Sequence, residues 1–372
     1  MKQSLGYAND RSVYNALNQN KITEKNIQKL FLKKGILCSK STKRDVLSAY
    51  YSRLTHDFFD HKLIADSLGI IPRREKITST EIISKDKSNI SYDDIKEKFK
   101  DLETDLNSTG CIAKYKSTGN EQEIDITYTE IDYSKSDFQQ MTTRTGNISA
   151  IIDNNIIHIR STQTKFINQV KDSFVKNIIT LNEDNLIKNN ICLNELNDHE
   201  LRTKFFLDTV RTIDDYQLEE IPQIGLFKNI KLVFDETEFD TNNEDNEKII
   251  ANINDAHLKG NSVHLTPELR LLAEKGFYYV KLVAVLKGKK DNLLYTVEIE
   301  FKNKEICDEF SYIVKHINEP KFDEETEKLS SYKTSRAPTP LEQIHFIDRL
   351  EKSAKRTLEE LKSSLSQESN QD

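Results

Sequence analysis

An α+β fold is expected from three features of the sequence. Apolar residues recur at helical spacing through the first 75 residues and again over 91–110. Runs with period-two alternation, the mark of strands, follow near 124–131, 277–287 and 293–301. A polar stretch holding Pro320, Pro338 and Pro340 then separates this body from a last apolar seam at helical spacing. At 372 residues the chain exceeds what one hydrophobic core organises. The expected order is a basic helical module (1–75), a connecting helix (76–110), a first α+β lobe with a helical connector (111–222), a second α+β lobe (223–319), a linker (320–340) and an amphipathic helix (341–366).

Each element has a local reason. Over 22–37, Thr23 is placed to cap a helix, Ile27, Leu30 and Phe31 form its apolar side, and Gly35 stops it. A second helix is expected from Ser41-Thr42, with Thr42 and Asp45 spaced as a capping box and Val46, Leu47, Tyr50 and Leu54 as one apolar face. A third follows Thr55, with Phe58, Phe59, Leu63, Ile64 and Leu68 inward. Ser91 opens a helix whose apolar residues Ile95, Phe99, Leu102 and Leu106 step by four, three and four. Residues 148–160 consist of two short apolar runs around Asp153-Asn154-Asn155, a hairpin pattern, and a helix with Phe166, Val170, Phe174 and Ile178 comes next. The stretch 183–217 is expected to be mostly helical, Thr266-Pro267 to open another helix, and 304–317 to be a helix as well. On that pattern 156–178 and 296–317 would share a strand-to-helix spacing, a similarity short enough to arise by chance.

Composition narrows the function classes. With 36% hydrophobic and 31% charged residues, and no apolar run near the roughly 20 residues of a membrane helix, a soluble folded protein is expected. The segment MKQSLGYANDRSVYNAL lacks the apolar core of a secretory signal, so the expected location is cytoplasmic, without membrane partners. Cys38, Cys111, Cys192 and Cys307 form no C-x-x-C pair and no zinc spacing with histidine; they read as small buried residues. Net charge is −7, but Lys21 to Lys76 hold 13 Lys/Arg against 6 Asp/Glu. A cationic module on an anionic chain suits a polyanionic partner.

Within that module Lys33, Lys34 and Gly35 make a basic turn, Ser39, Lys40 and Ser41 a short extension, and Lys43 and Arg44 the entrance of the next helix. Residues 23–54 resemble, in these positions, the SAP-type helix–extension–helix DNA-binding motif. The resemblance covers under a tenth of the chain, and it departs from the family pattern in Cys38 and in the aromatic residues of the second helix. It implies phosphate contacts by these cations. An overlapping pattern, HKLIADSLGI followed by Pro72-Arg73-Arg74-Glu75-Lys76, is similar to a helix-turn-helix whose recognition helix would begin with Arg73 and Arg74. The nucleic-acid-binding candidates are therefore Lys33, Lys34, Lys40, Lys43, Arg44, Arg73 and Arg74.

Other chemistries have weaker support. HDFFDH (56–61) spaces His and Asp four apart twice, yet lacks further ligands, and surface pairs of this kind are usually solvated. DETEFDTNNEDNE (235–247) has no glycine for a calcium loop. Asp291, Glu300 and Lys302 loosely match a metal-dependent nuclease constellation, although alternation on a strand explains them equally. Phosphate loops, dinucleotide fingerprints, nucleophile elbows and H-E-x-x-H motifs do not occur. The expectation is a nucleic-acid-binding accessory protein, with DNA as ligand, no catalytic residues, no metal and no cofactor. Its setting would be a bacterial multi-component system such as anti-phage defence. A protein–protein adaptor and a divergent nuclease are the alternatives. The terminal helix, with balanced charge, suits either a partner (or self-association) or its own domain.

Overall fold

A computed structural model describes residues 9–20, 22–68, 74–85, 91–134, 138, 140–153, 155–180, 185–229, 254–260, 262–322 and 329–368. The fold is α+β. The chain divides into two compact units, each assembled from separate stretches of sequence: 1–75, 91–152 and 164–181 in one, and 76–90, 153–163 and 182–372 in the other. These boundaries differ from contiguous lobes at 111–222 and 223–319.

The first unit begins with four short helices, α1 (Asp10–Leu17), α2 (Glu24–Lys33), α3 (Arg44–Ser52) and α4 (Phe58–Leu68). Val13, Leu17, Ile22, Ile27, Phe31, Leu47, Tyr51 and Ile64 are buried together as its core. Helix α5 (Tyr92–Ser108) is capped by Ser91 and packs on the antiparallel strands β2 (Ile112–Thr118) and β3 (Glu121–Ile131). Strand β4 (Met141–Asp153) extends this sheet in the order β2–β3–β4. Helix α6 (Lys165–Ile179) meets α5 through the edge-to-face pair Phe99–Phe174. Gly146 on β4 is required by that packing, because a Cβ there would stand 2.5 Å from Cγ1 of the buried Ile167.

The second unit contains β1 (Ile77–Ser84), β5 (Ile156–Thr162), β6 (Leu186–Asn189), α7 (His199–Arg211), β7 (Tyr216–Phe227), β8 (Asp255–Lys259), α8 (Pro267–Glu274), β9 (Tyr278–Gly288), β10 (Leu294–Asn303) and β11 (Asp308–Asn318). A small hairpin, β12 (Pro320–Phe322) and β13 (Leu329–Tyr332), leads to α9 (Pro340–Glu368). The strands run antiparallel in the order β5–β1–β11–β10–β9–β7–β8, with β6 beside the end of β1. Phe205, Phe206 and Val210 of α7 and Phe346, Ile347, Leu350, Ala354, Leu358 and Leu361 of α9 share one core with Ile299, Phe301, Phe310 and Tyr312 of the sheet. The seam of α9, which the sequence suits either to a partner or to its own domain, is buried in the chain's own core.

That helix is held by ions as well as by apolar packing. Arg160 donates from Nε to both oxygens of Glu351 at 3.2 Å and from Nη2 to Asp348 at 2.5 Å, and Tyr312 donates its hydroxyl to Glu351. Glu81 accepts from His158 Nδ1 at 2.5 Å and from Lys355. Arg202 is buried and, among the described residues, pairs with carbonyl groups and no carboxylate. Its guanidinium donates to the carbonyls of Leu196 (2.6 Å) and Glu305 (2.9 Å) and lies 4.7 Å from the Tyr278 ring centre.

Several expectations are corrected. Residues 304–317 do not form a helix; most of them belong to β11, which also removes the second half of the suggested strand–helix repeat. Within the connecting segment 76–110 the helix expected from Ser91 is present as Tyr92–Ser108, whereas Ile77–Ser84 is a strand. Among the described residues the stretch 183–217 holds one helix, α7, preceded by β6. The recognition helix expected from Pro72 is absent where the chain is described, since residues 74–76 are non-helical and run into β1. The linker at 320–340 contains β12 and β13 and is tied down at Arg336, which pairs with Glu319 and Glu342 at 2.7 and 2.6 Å. Cys307 is buried, while Cys38, Cys111 and Cys192 are only half-buried, and all four are free. Among the described residues no helix is long and apolar enough to cross a membrane.

Candidate nucleic-acid interface

The segment 23–54 forms a helix, an extension and a second helix. Thr23 caps α2 by accepting from Asn26 N–H at 3.3 Å. The other end closes with the paired bonds of a Schellman turn: Ile36 N–H to Phe31 C=O (3.0 Å) and Gly35 N–H to Leu32 C=O (2.9 Å). Gly35 takes φ +76°, a left-handed conformation that favours glycine. The extension is pinned back on α2, as Gln28 Nε2 donates to Ser39 C=O at 3.3 Å. It tightens into a turn where Thr42 N–H meets Ser39 C=O at 3.2 Å and the hydroxyls of Ser39 and Ser41 lie 2.9 Å apart.

Helix α3 starts later than the Thr42–Asp45 spacing suggests. Its N-cap is Lys43, whose side chain makes no cap hydrogen bond. The positive end of this helix thus has no side-chain cap from its own N-cap residue and is flanked by Lys40 and Lys43, a setting suited to an anion. The buried face also differs from the expected one. Leu47, Ser48, Tyr51 and Ser52 point into the core, with Ser48 donating its hydroxyl to Arg44 C=O at 2.8 Å. Val46 and Tyr50, expected inside, are exposed, Tyr50 by 63%. Phe59 on α4, also expected inside, is 69% exposed.

The seven candidate cations divide accordingly. Lys33, Lys40 and Lys43 are exposed and belong to the end of α2, the extension and the start of α3. Lys34 turns inward, where Nζ donates to Thr55 C=O at 2.9 Å and pairs with Asp60 at 2.5 Å. Arg44 also turns inward and donates from Nη1 to the carbonyls of Gln19 and Ile22, both at 3.3 Å, tying α3 to the chain that follows α1. Arg74 is exposed in the non-helical residues before β1. Arg73 lies outside the described residues. Sequence reasoning missed the exposed apolar residues beside the lysines: Leu32, Ile36, Leu37, Val46 and Tyr50. The signal available for them was the pair Tyr50-Tyr51, since only one of two adjacent helical positions faces the core.

Beneath this segment lies an unusual polar interior. The His56 side chain is 6% exposed, and neither ring nitrogen has a hydrogen-bond partner. Its ring centre is 4.9 Å from that of Tyr51, whose buried hydroxyl is also unpartnered, and 6.0 Å from that of His61. Burial, together with the charge of Lys34, holds the His56 pKa below its ordinary value. Among the described residues no group of three or more His, Cys, Asp or Glu side chains is arranged to hold a metal ion.

In the nuclease alternative Asp291 lies far from Glu300 and Lys302, which share one strand. Asp291 sits in the turn before β10, accepting from Leu293 N–H at 3.0 Å and from the Tyr295 hydroxyl at 3.2 Å. Glu300 is nine residues further on, which along an extended strand is about 30 Å. It pairs there with Lys76 and Lys281, and Lys302 pairs with Glu309 at 3.4 Å. Protein-family models yield no match to this chain, and neither does a search of curated proteins.

Proposed function

We propose that the chain is a non-catalytic nucleic-acid-binding protein whose contact surface is the helix–extension–helix segment 23–54. One observation carries this reading. Lys33, Lys40 and Lys43 stand exposed along a segment whose second helix opens without a side-chain cap. Cations combined with free helix N–H groups attract phosphates through both charge and hydrogen bonding. Exposed Lys25 and Lys29 of α2 and Arg53 after α3 extend the positive character. An accessory role within a larger assembly fits this reading, because binding without catalysis serves by recruiting or positioning other components.

Binding of a labelled DNA to the full chain, titrated against salt, tests the proposal. If three phosphates are neutralised on a duplex, log affinity should fall against log salt with a slope of about −2.7. A Lys33/Lys40/Lys43→Ala variant should bind weakly with a flatter slope. Salt-independent binding, or an unchanged slope in that variant, would rule out this surface.

A further inference from the structure

We propose that the strand bound by this surface is single-stranded, with a base stacked on Tyr50 while the neighbouring cations hold its backbone. The inference rests on the polyanion-binding reading above and adds the kind of nucleic acid.

The argument starts from the solvent side of α3. Lys43, Val46, Tyr50 and Arg53 are all exposed and step by three, four and three, so they form one line along the helix, opposite the buried Leu47, Ser48 and Tyr51. Seven residues separate Lys43 from Tyr50, two helical turns or about 10 Å along the axis. An aromatic residue that is 63% exposed therefore lies between two cations on one line. Leu37, 86% exposed in the extension, adds a second apolar contact in the same segment.

In a duplex the base faces are stacked on one another, and a protein meets only phosphates and base edges. An exposed ring gains little from such a ligand. In a single strand the faces are free, and a ring beside cations takes up a base while the cations take phosphates. An anionic membrane also offers charge and an apolar layer. However, the apolar faces of α2 and α3 are spent on the core formed by Ile27, Leu30, Phe31, Leu47 and Tyr51. The exposed Leu32, Val46 and Tyr50 are interleaved with cations rather than forming a broad apolar helix face to enter a bilayer.

Fluorescence anisotropy on the full chain provides the test, comparing a labelled oligothymidine strand with a duplex of equal length at one salt concentration. Phosphatidylserine vesicles serve as a third ligand. The single strand should bind at least about tenfold more tightly than the duplex. Tyr50→Ala should weaken single-strand binding by about 5- to 100-fold and leave duplex binding unchanged, with Tyr50→Phe close to wild type. Because Tyr50 is exposed, an unchanged melting temperature in each variant separates lost contact from lost fold. Equal or tighter duplex binding overturns the inference, as does an unaffected Tyr50→Ala variant, while the lysine variant still decides the broader reading. Binding to vesicles in place of either nucleic acid, or to none of the three ligands, overturns both.

Discussion

His56 Nδ1 stands 3.9 Å from Oδ2 of Asp60, the same oxygen that holds Lys34 at 2.5 Å. The same oxygen also accepts from Asp57 N–H at 3.2 Å, while His56 stays beyond hydrogen-bond reach. Lys34, Asp60, His61 and Tyr51 surround the imidazole, which is buried in its neutral form. The sign of the pH effect follows. The folded pKa lies below the ordinary 6.5, so the unfolded chain takes up a proton that the folded chain refuses. Stability from neutral His56 is complete above about pH 6.5 and is lost as pH falls below it, until the folded form also protonates. Melting temperatures measured between about pH 7.5 and 5.5 should decline less in His56→Phe than in wild type. Parallel declines would show that His56 does not titrate between the two states.

Lys43 and Arg44 are adjacent in sequence and opposite in role. Lys43→Ala should leave the melting temperature within error and reduce nucleic-acid affinity. Arg44→Ala removes two bonds to carbonyl groups and leaves Gln19 and Ile22 C=O without this donor, a loss of about 1–3 kcal/mol in stability. Denaturant unfolding and anisotropy on both variants separate the roles. A stability loss in Lys43→Ala equal to that in Arg44→Ala would contradict the assignment.

Acid should act on the second unit through Glu81 and Glu298. Both carboxyls are brought down to about 2 against burial, Glu81 by His158 and Lys355, and Glu298 by Lys281, Lys76 and Lys315. For a depressed carboxyl, the stabilisation is present above the ordinary 4.5 and is lost as pH falls from there toward 2. Glu298→Gln should therefore be less stable than wild type at neutral pH and converge with it near pH 2, at the acid end of that window. A stability difference that stays constant down the whole range would show that the charge of Glu298 is not what matters.

Elements with complete local instructions were legible in the sequence. Thr23 and Ser91 cap α2 and α5 as their spacing suggests, and Gly35 ends α2. The misread elements depend on distant partners or on an irregular ladder. In β11, Phe310, Tyr312 and Val314 alternate toward the core, but the next buried residue is Ile317. Thr296 pairs with His316 and Val297 with Val314, so Lys315 is an extra residue on β11. The resulting step of three imitates a helix. β1 was missed because its buried residues include Thr78, Thr80, Glu81 and Ser84, and Glu81 is satisfied by Lys355, 274 positions away. The candidate surface was half legible for the same reason. The cations are visible in sequence, but the partners that draw Lys34 and Arg44 inward lie more than 20 residues off.

The docking of α9 gives the strongest stability prediction. The Arg160 side chain is 17% exposed and that of Glu351 7%, so removing one partner strands the other in a poorly solvated site. Arg160→Ala should cost about 3–5 kcal/mol. Tyr312→Phe removes only the hydroxyl donated to Glu351 and should cost about 1.5–3 kcal/mol, since that bond is to a charged group. Replacing both members of the pair, as in Arg160→Met with Glu351→Leu, takes two charges out of the core together and should be milder than Arg160→Ala, because burying methylenes avoids the desolvation cost of ions. Urea unfolding of the three variants orders them. If the double variant is the least stable, the pair adds more than it costs to bury, and α9 depends on its charges more than on Phe346, Leu350 and Ala354.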